Sequence, residues 1–210
     1  MLQVTNDRTH RLEAFEPQNA PRVTMYVCGP TVYDYSHLGH AKCYVSWDVV
    51  RRHLKFKGYN LVEAMNFTDI DDKIINRARE TGEDWHAVAE RFIHEFWVDM
   101  DALGNERVEL YPRATEHIPE MIAHIEGLIA KGFAYPAEGD VYYAVSRFET
   151  YGQLSGRTLD QMQAGARVEI DEKKRHPMDF ALWKASKPGE PSWDSPWGPG
   201  RPGWHIECSA

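Results

Sequence analysis

The stretch that decides the fold is Thr24-Met-Tyr-Val-Cys-Gly-Pro-Thr-Val-Tyr-Asp-Tyr-Ser-His-Leu-Gly-His40, because it joins a strand, a break and a helix start. Residues 23–27 are apolar and β-prone, which predicts a buried strand. Gly29-Pro30 ends the strand. A helix is predicted from Leu38 to about Gly58, since apolar residues recur there at helical spacing. A strand that feeds a helix begins a βαβ unit, in which ligands bind beyond the carboxyl ends of the strands.

The rest of the chain extends this unit. Residues 60–67 are predicted to form a second strand, parallel to the first because a helix connects them. Asp71 or Asp72 is predicted to cap the next helix, and residues 178–184 form a third candidate core strand. The remaining predicted elements are helices at 84–103 and 115–131 and a hairpin at 133–145 whose turn is 136–140. The sequence therefore predicts an α/β fold with a long insertion.

Composition limits the classes of protein that fit. The chain has 210 residues, 42% of them apolar, a net charge of −8 and three cysteines. This charge argues against general electrostatic binding of nucleic acid, although it leaves a local basic face possible. The cysteines are too few and too far apart for a disulfide framework. The first residues lack the apolar run of a signal peptide, and nothing is long enough to span a bilayer. We expect a cytoplasmic monomer with reduced thiols.

His37-Leu-Gly-His40 places two imidazoles at the start of the first helix. Backbone N–H groups and the helix dipole favour anions there. Imidazole N–H groups can bind phosphate oxygens and stabilise the charge that develops in nucleotidyl transfer. Gly39 leaves room for a flat ring near the backbone. Two ordinary surface histidines, or a metal-binding pair, are the alternative interpretations.

The cysteines allow two interpretations. Cys28 and Cys43 fit buried structural positions, whereas Cys208 follows a loop in Trp-His-Ile-Glu-Cys. A zinc site that combines Cys28 with Cys208 has no short spacing to support it.

Two charged clusters are also open to more than one interpretation. Asp69, Asp71 and Asp72 form either a catalytic carboxylate cluster or an acidic helix start. Lys173-Lys174-Arg175 is either a solvated loop or a contact to a phosphate backbone.

Taken together, four stretches resemble the cysteinyl-tRNA synthetase family. They are residues 26–34 (Tyr-Val-Cys-Gly-Pro-Thr-Val-Tyr-Asp), residues 37–40, which match the family's HIGH motif with Leu for Ile, residues 66–74 (Asn-Phe-Thr-Asp-Ile-Asp-Asp-Lys-Ile), and residues 179–184 with 203–208. They span nearly the whole chain in the family's order.

The resemblance implies a class I synthetase with a Rossmann-like parallel sheet. Residues 1–104 would form its first half, 105–175 a connective-peptide insertion, and 176–210 an incomplete return to the catalytic domain. Such an enzyme activates cysteine with ATP and Mg²⁺ to cysteinyl adenylate and esterifies the tRNA for cysteine.

The resemblance also implies roles for individual residues. The implied ATP-binding residues, of which the two histidines are catalytic, are His37, Gly39 and His40. Gly29, Thr68 and Trp204 would line the cysteine pocket. Cys28 and Cys208 would be two of the Zn²⁺ ligands.

The sequence departs from the family in what it does not contain. Two further zinc ligands, the KMSKS loop and the anticodon-binding region are missing from these 210 residues. We therefore expect a fragment with weak activity and weak zinc binding on its own, and His205 is a further candidate ligand. The alternatives are the related cysteine-activating ligase of mycothiol synthesis and a non-catalytic binding module.

Overall fold

The computed structural model describes residues 2–157, 161, 173–203 and 205–210. Within these ranges the strands are β1 (Gln3–Asn6), β2 (Arg11–Ala14), β3 (Arg22–Val27), β4 (Asn60–Met65), β5 (Ala134–Ala137), β6 (Asp140–Tyr143), β7 (Phe180–Ala185) and β8 (Gly200–Pro202). The helices are α1 (Leu38–Phe56), α2 (Asp72–Thr81), α3 (Trp85–Ala102), α4 (Ile118–Ala130) and α5 (Ile206–Ser209). None of the helices in these ranges is long and apolar enough to cross a membrane.

The chain divides into two compact units. The parallel-sheet unit is Glu16–His117, and the antiparallel-sheet unit combines Met1–Phe15 with Ile118–Ala210.

The parallel-sheet unit is built on β3 and β4, which pair in parallel with Val23 opposite Leu61. This pairing confirms the predicted crossover. Residues 110–113 add a further parallel edge beside β4, because the Leu110 N–H donates to the Glu63 carbonyl (3.1 Å) and the Phe67 N–H donates to the Pro112 carbonyl (2.9 Å). The sequence did not predict this edge, since a Leu-Tyr-Pro-Arg segment is short and contains a proline.

Three helices supply the apolar core of the parallel-sheet unit. The predicted stripe of α3 is buried at Val88, Phe92 and Phe96, which are at most 4% exposed. Aromatic edges complete the packing, with Phe67 and Phe96 rings 5.4 Å apart at 85°. The core residues of this unit are Val27, Val32, Tyr44, Met65, Phe67, Ile74, Ala78, Val88, Ala89, Phe92, Ile93, Phe96 and Met100.

The helix ends of this unit follow the predicted chemistry. Asp71 caps α2, and its carboxylate accepts from the Lys73 N–H at 2.9 Å. Gly82 ends α2 in the left-handed conformation, with φ 71°. Cys43, predicted to be buried, is exposed on α1. That prediction is wrong: the buried residues of α1 are Tyr44, Arg51 and Leu54, and although Leu54 shares a helix face with Cys43, this face is covered at Leu54 and open at Cys43.

The strand predicted at residues 178–184 lies in the antiparallel-sheet unit. It is β7, which lies between β6 and β8 in the order β5-β6-β7-β8 and does not pair with β3 or β4. Its Trp183 is fully buried. A short apolar run indicates burial but does not identify the partner strand.

The buried Asp179 carboxylate links several segments of this unit by hydrogen bonds. The carboxylate, on a residue 2% exposed, accepts from the Tyr135 hydroxyl (2.7 Å) and from the Val145 (3.0 Å) and His176 (3.1 Å) N–H groups. These bonds satisfy the charge that burial would otherwise leave uncompensated.

Two predicted boundaries move. The hairpin turn is Glu138-Gly139, both at positive φ (51° and 87°), so β5 extends through Pro136 and Ala137. The helix predicted at 115–131 begins at Ile118, after a 3-10 turn at Ala114–Glu116.

A buried ion network joins α1 to β4 and to the segment before residue 110. The Arg51 and Glu63 residues are 3% and 1% exposed, and their Nε and Oε2 atoms are 3.2 Å apart. Arg51 also contacts Glu106 (2.7 Å) and Glu109 (2.6 Å). Burial raises the pKa of Glu63 to about 7, with Arg51 opposing the shift and Glu109 adding to it.

Arg51→Met is expected to lower the free energy of unfolding by about 3–5 kcal/mol, because it removes the counter-charge of the buried Glu63 carboxylate. Chemical denaturation measures the change. Arg52→Met is the matched control. Arg52 neighbours Arg51 on α1 and pairs with Asp48, but the Arg52 side chain is 47% exposed. Ion pairs at the surface contribute little to stability. Equal losses for the two variants would contradict a special role for the buried network.

Glu63→Gln is expected to flatten the pH dependence of stability between about pH 4.5 and 7. The folded state holds the Glu63 proton more tightly than the unfolded state, whose pKa is near 4.5. The Glu63 contribution to stability is therefore fully present below pH 4.5 and is lost as the pH rises through 7. Thermal unfolding across this range, with exposed Glu80→Gln as control, measures it. An unchanged slope in Glu63→Gln would count against the raised pKa.

Candidate active site

The carboxyl edge of the parallel sheet brings together the segments that follow β3 and β4. Gly29 follows β3 and lies very close to the segment that follows β4. A Cβ on Gly29 would be 1.6 Å from the Asn66 carbonyl oxygen. Only glycine fits this approach. The Thr68 N–H then donates to the Pro30 carbonyl (3.1 Å), and the Val32 N–H donates to the Thr68 carbonyl (3.3 Å). The predicted pocket residues Gly29 and Thr68 are therefore on adjoining segments.

One buried side chain contacts both of them. Asn66 is 3% exposed. Its Oδ1 accepts from the Gly29 N–H at 2.9 Å, and its Nδ2 donates to the Thr68 hydroxyl oxygen at 3.3 Å. Asn66 belongs to the stretch 66–74 that resembles the synthetase family, but that resemblance implies no role for it.

His37 and His40 cap α1 reciprocally. The Gly39 N–H donates to His37 Nδ1 (3.0 Å), and the His37 N–H donates to His40 Nδ1 (3.2 Å). This arrangement is a capping box with imidazoles in place of the usual hydroxyl and carboxamide. A nitrogen that accepts a hydrogen bond carries no proton, so each neutral ring has its proton on Nε2. The helix start therefore offers two Nε2–H donors.

The two rings lie against each other with centroids 4.0 Å apart. Burial lowers the pKa of His40, and the neighbouring His37 lowers it further. His40 is thus held in the neutral form that the cap requires. Gly39 permits this arrangement, since a Cβ there would lie 2.7 Å from His37 Cε1 and push the ring away.

The loop that leads into His37 is held by α2 and α3. Lys73 Nζ lies 5.0 Å from the centre of the Tyr33 ring, and Arg77 is 3.5 Å from the Asp34 carboxylate. The Tyr35 ring meets Phe92 edge-on at 5.4 Å. These contacts fix the path of the loop from the carboxyl edge of the sheet to the two histidines.

The acidic cluster has structural partners. Asp69 is 2% exposed and accepts from the Thr115 N–H (3.0 Å) and hydroxyl (2.6 Å). Burial raises the pKa of Asp69, and the bonds from Thr115 oppose the shift. Asp71 is the cap of α2. These contacts favour the helix-start interpretation over a catalytic carboxylate cluster.

The basic run has partners within the antiparallel-sheet unit. Lys173 Nζ is 2.9 Å from the Asp140 carboxylate, and the Arg175 guanidinium lies over the Tyr135 ring at 4.0 Å. Both contacts favour a structural role for these two residues.

Of the predicted metal ligands, Cys28 belongs to the parallel-sheet unit, and Cys208 and His205 belong to the antiparallel-sheet unit. All three cysteines are thiols, and Cys28 is exposed just beyond β3. In the antiparallel-sheet unit, Cys208 is on α5. His205 is the residue directly before α5, and its φ is 61°. Ligand atoms of His205 and Cys208 lie within 4.8 Å of each other. Trp204 lies outside the described residues.

A pocket in the parallel-sheet unit involves none of the predicted site residues. Its lining includes Trp47, Arg51, Glu63 and Trp97, so it borders the buried ion network.

Solved structures share the fold. The methionyl-tRNA synthetase of Mycobacterium tuberculosis in complex with methionyl-adenylate has a TM-score of 0.51 at 19% identity, over 60% of this chain and 25% of that chain. The LeuRS of Agrobacterium radiobacter K84, in a ternary complex with tRNA and LeuAMS, has a TM-score of 0.50 at 20% identity, over 63% of this chain and 18% of that one. These similarities show the class I synthetase fold.

Curated relatives match along the whole chain. Cysteine–tRNA ligase of Pelotomaculum thermopropionicum is 58% identical over 100% of this chain and 43% of its own length. The corresponding ligase of Anaeromyxobacter dehalogenans is 60% identical over 100% of this chain and 44% of its own length. This chain thus spans less than half the length of these relatives. The sequence model described as "tRNA synthetases class I (C) catalytic domain" matches residues 14–210, and the chain belongs to that family.

Proposed function

We propose that this chain takes part in activating cysteine with ATP to cysteinyl adenylate and in transferring it to the tRNA for cysteine. The observation that carries the proposal is the pair of Nε2–H donors of His37 and His40 at the start of α1, after the strand that ends at Gly29. Identities of 58–60% to cysteine–tRNA ligases support the choice of amino acid.

The histidines act on the phosphates of ATP. In the reaction, a carboxylate oxygen of cysteine bonds to the α-phosphorus, and the bond to pyrophosphate breaks. Negative charge therefore grows on the departing phosphates. His37 and His40 donate hydrogen bonds to phosphate oxygens through Nε2, without reorganisation, because their Nδ1 atoms are already occupied by backbone N–H groups. Mg²⁺ enters as the partner of ATP.

The residue roles implied by the family resemblance belong to the same proposal. Gly29, Thr68 and Trp204 would line the cysteine pocket. Cys28 and Cys208 would hold a zinc ion, with His205 as a further candidate. The donor set fits zinc, because thiols and imidazole are its preferred ligands and His205 lies beside Cys208. Zinc bound there supplies a soft Lewis acid that prefers a thiolate to the hydroxyl of serine.

The wider assignments remain part of the proposal. Residues 1–104 and 176–210 belong to the catalytic domain, and residues 105–175 form the connective peptide. The protein works in the cytoplasm as a monomer.

The full-length product of the gene that encodes this chain, loaded with zinc, is expected to exchange pyrophosphate with ATP in the presence of cysteine. Serine is expected to support exchange more than about 100-fold less well, because a near-isosteric hydroxyl is discriminated by the metal. Absence of exchange would favour the binding-module interpretation. Exchange without transfer to tRNA, but with transfer to an amino sugar, would favour the ligase of mycothiol synthesis.

Zinc content gives an independent control for this experiment. Cys208→Ser is expected to lose bound zinc and the preference for cysteine, whereas Cys43→Ser, at an exposed cysteine of α1, is expected to keep both. Equal zinc content in the two variants would remove Cys208 from the ligand set.

His37→Asn is expected to separate helix capping from catalysis. Asparagine is a favoured N-cap residue, so the unfolding temperature should change little. Its side chain does not reach the position of Nε2, so the rate of exchange should fall by about 10²–10³-fold. His94→Asn, at an exposed position of α3, is the control. A rate near that of the unaltered enzyme would rule out the phosphate-binding role of His37.

A further inference from the structure

Asn66 directly follows β4 and lies between Gly29 and Thr68, two of the residues predicted to bind cysteine. It contacts Gly29 and Thr68 at the same time, through its two different side-chain atoms. Asn66 is 3% exposed. A buried carboxamide of this kind is retained when both of its ends are satisfied.

The contacts leave only one orientation of the carboxamide. A backbone N–H can only donate, so the atom facing Gly29 must be Oδ1. Nδ2 therefore faces Thr68, and the Thr68 oxygen acts as an acceptor toward it. The hydrogen bonds therefore run from the Gly29 N–H to Asn66 and from Asn66 to the Thr68 oxygen.

Backbone contacts alone do not orient the Thr68 side chain. The Thr68 N–H and carbonyl are bonded to Pro30 and Val32, and these bonds hold the main chain of the two segments together. The hydroxyl rotates about χ1 independently of those bonds. Among the described contacts, the Asn66 carboxamide is the side chain that acts on both the Gly29 peptide and the Thr68 hydroxyl.

We infer that Asn66 is a positioning residue for cysteine, which aligns the Gly29 peptide and the Thr68 hydroxyl without touching ATP. The inference rests on the proposed function, since it assumes that Gly29 and Thr68 line the cysteine pocket. It assigns Asn66 to recognition of the amino acid, while His37 and His40 act on the nucleotide.

Asn66→Asp is the most selective substitution. The carboxylate has the same shape and still accepts from the Gly29 N–H, but it cannot donate to Thr68. The Thr68 hydroxyl must turn and donate to the carboxylate, so its hydrogen points in a different direction from that in the unaltered protein. Asn60→Asp, at the exposed first residue of the same strand, makes the same chemical change at the opposite end of β4 and serves as the control.

Pyrophosphate exchange by the full-length enzyme tests the inference. Asn66→Asp is expected to lower kcat/KM for cysteine about tenfold or more, with KM for ATP close to that of the unaltered enzyme and of Asn60→Asp. Because a buried carboxylate lowers the unfolding temperature whichever role Asn66 has, the split between the two substrates is the deciding result. A purely structural role would instead change the ATP and cysteine constants together, and this result would overturn the inference.

A second set of variants keeps the test decisive if Asn66→Asp does not fold. Thr68→Val removes the acceptor of the Asn66 Nδ2–H, and Thr68→Ser restores it. Thr68→Val is expected to raise KM for cysteine and Thr68→Ser to recover it, and in the Thr68→Val background Asn66→Asp is expected to add little. Additive effects of Asn66→Asp and Thr68→Val would overturn the inference. Lack of cysteine-dependent exchange by the unaltered enzyme would overturn the proposed function together with the inference, whereas normal exchange and an unchanged cysteine KM in Asn66→Asp would overturn the inference alone.

Discussion

The buried guanidinium of Arg51 is the interaction on which the parallel-sheet unit depends. This one cation pairs with Glu63 on β4. It also pairs with Glu106 and Glu109 on the segment that leads to the edge at 110–113. Because Arg51 belongs to α1, the helix that begins at the two histidines is tied to the sheet by charge as well as by apolar packing. Such a network contributes more to a defined geometry than to net stability, since desolvation offsets most of the attraction.

Local chemistry explains why much of the fold could be predicted. The strand–break–helix order around Gly29-Pro30, the Asp71 cap and the Gly82 end each depend on a few adjacent residues, and the structure contains all three. Partners distant in sequence could not be predicted in this way. The sequence predicts β7 as a core strand but does not show that it pairs with β6 and β8, and it does not predict the edge at 110–113. The apolar residues of a strand indicate that it is buried, whereas the strand it pairs with depends on the fold of the whole chain.

The site shows the same division. Motif residues found from the sequence, His37, Gly39 and His40, are arranged by hydrogen bonds within four residues of each other. Asn66 could have been noticed as a polar residue at the carboxyl end of a strand, but its contact with Gly29 spans 37 positions. The donor character of the histidine Nε2 atoms was also hidden, because a ring's tautomer depends on what its other nitrogen accepts.

The late edge at 110–113 has a consequence for local unfolding. It closes a long loop, since Glu109 meets the Glu63 backbone across 46 positions and Thr115 meets Asp69 across another 46. Departure of this edge from β4 would break the Leu110 and Phe67 ladder bonds, the Thr115 bonds and the Arg51 contacts to Glu106 and Glu109 in one event. The amide hydrogens of Met65, Phe67, Leu110 and Thr115 are therefore expected to exchange as one cooperative unit, although they lie far apart along the chain.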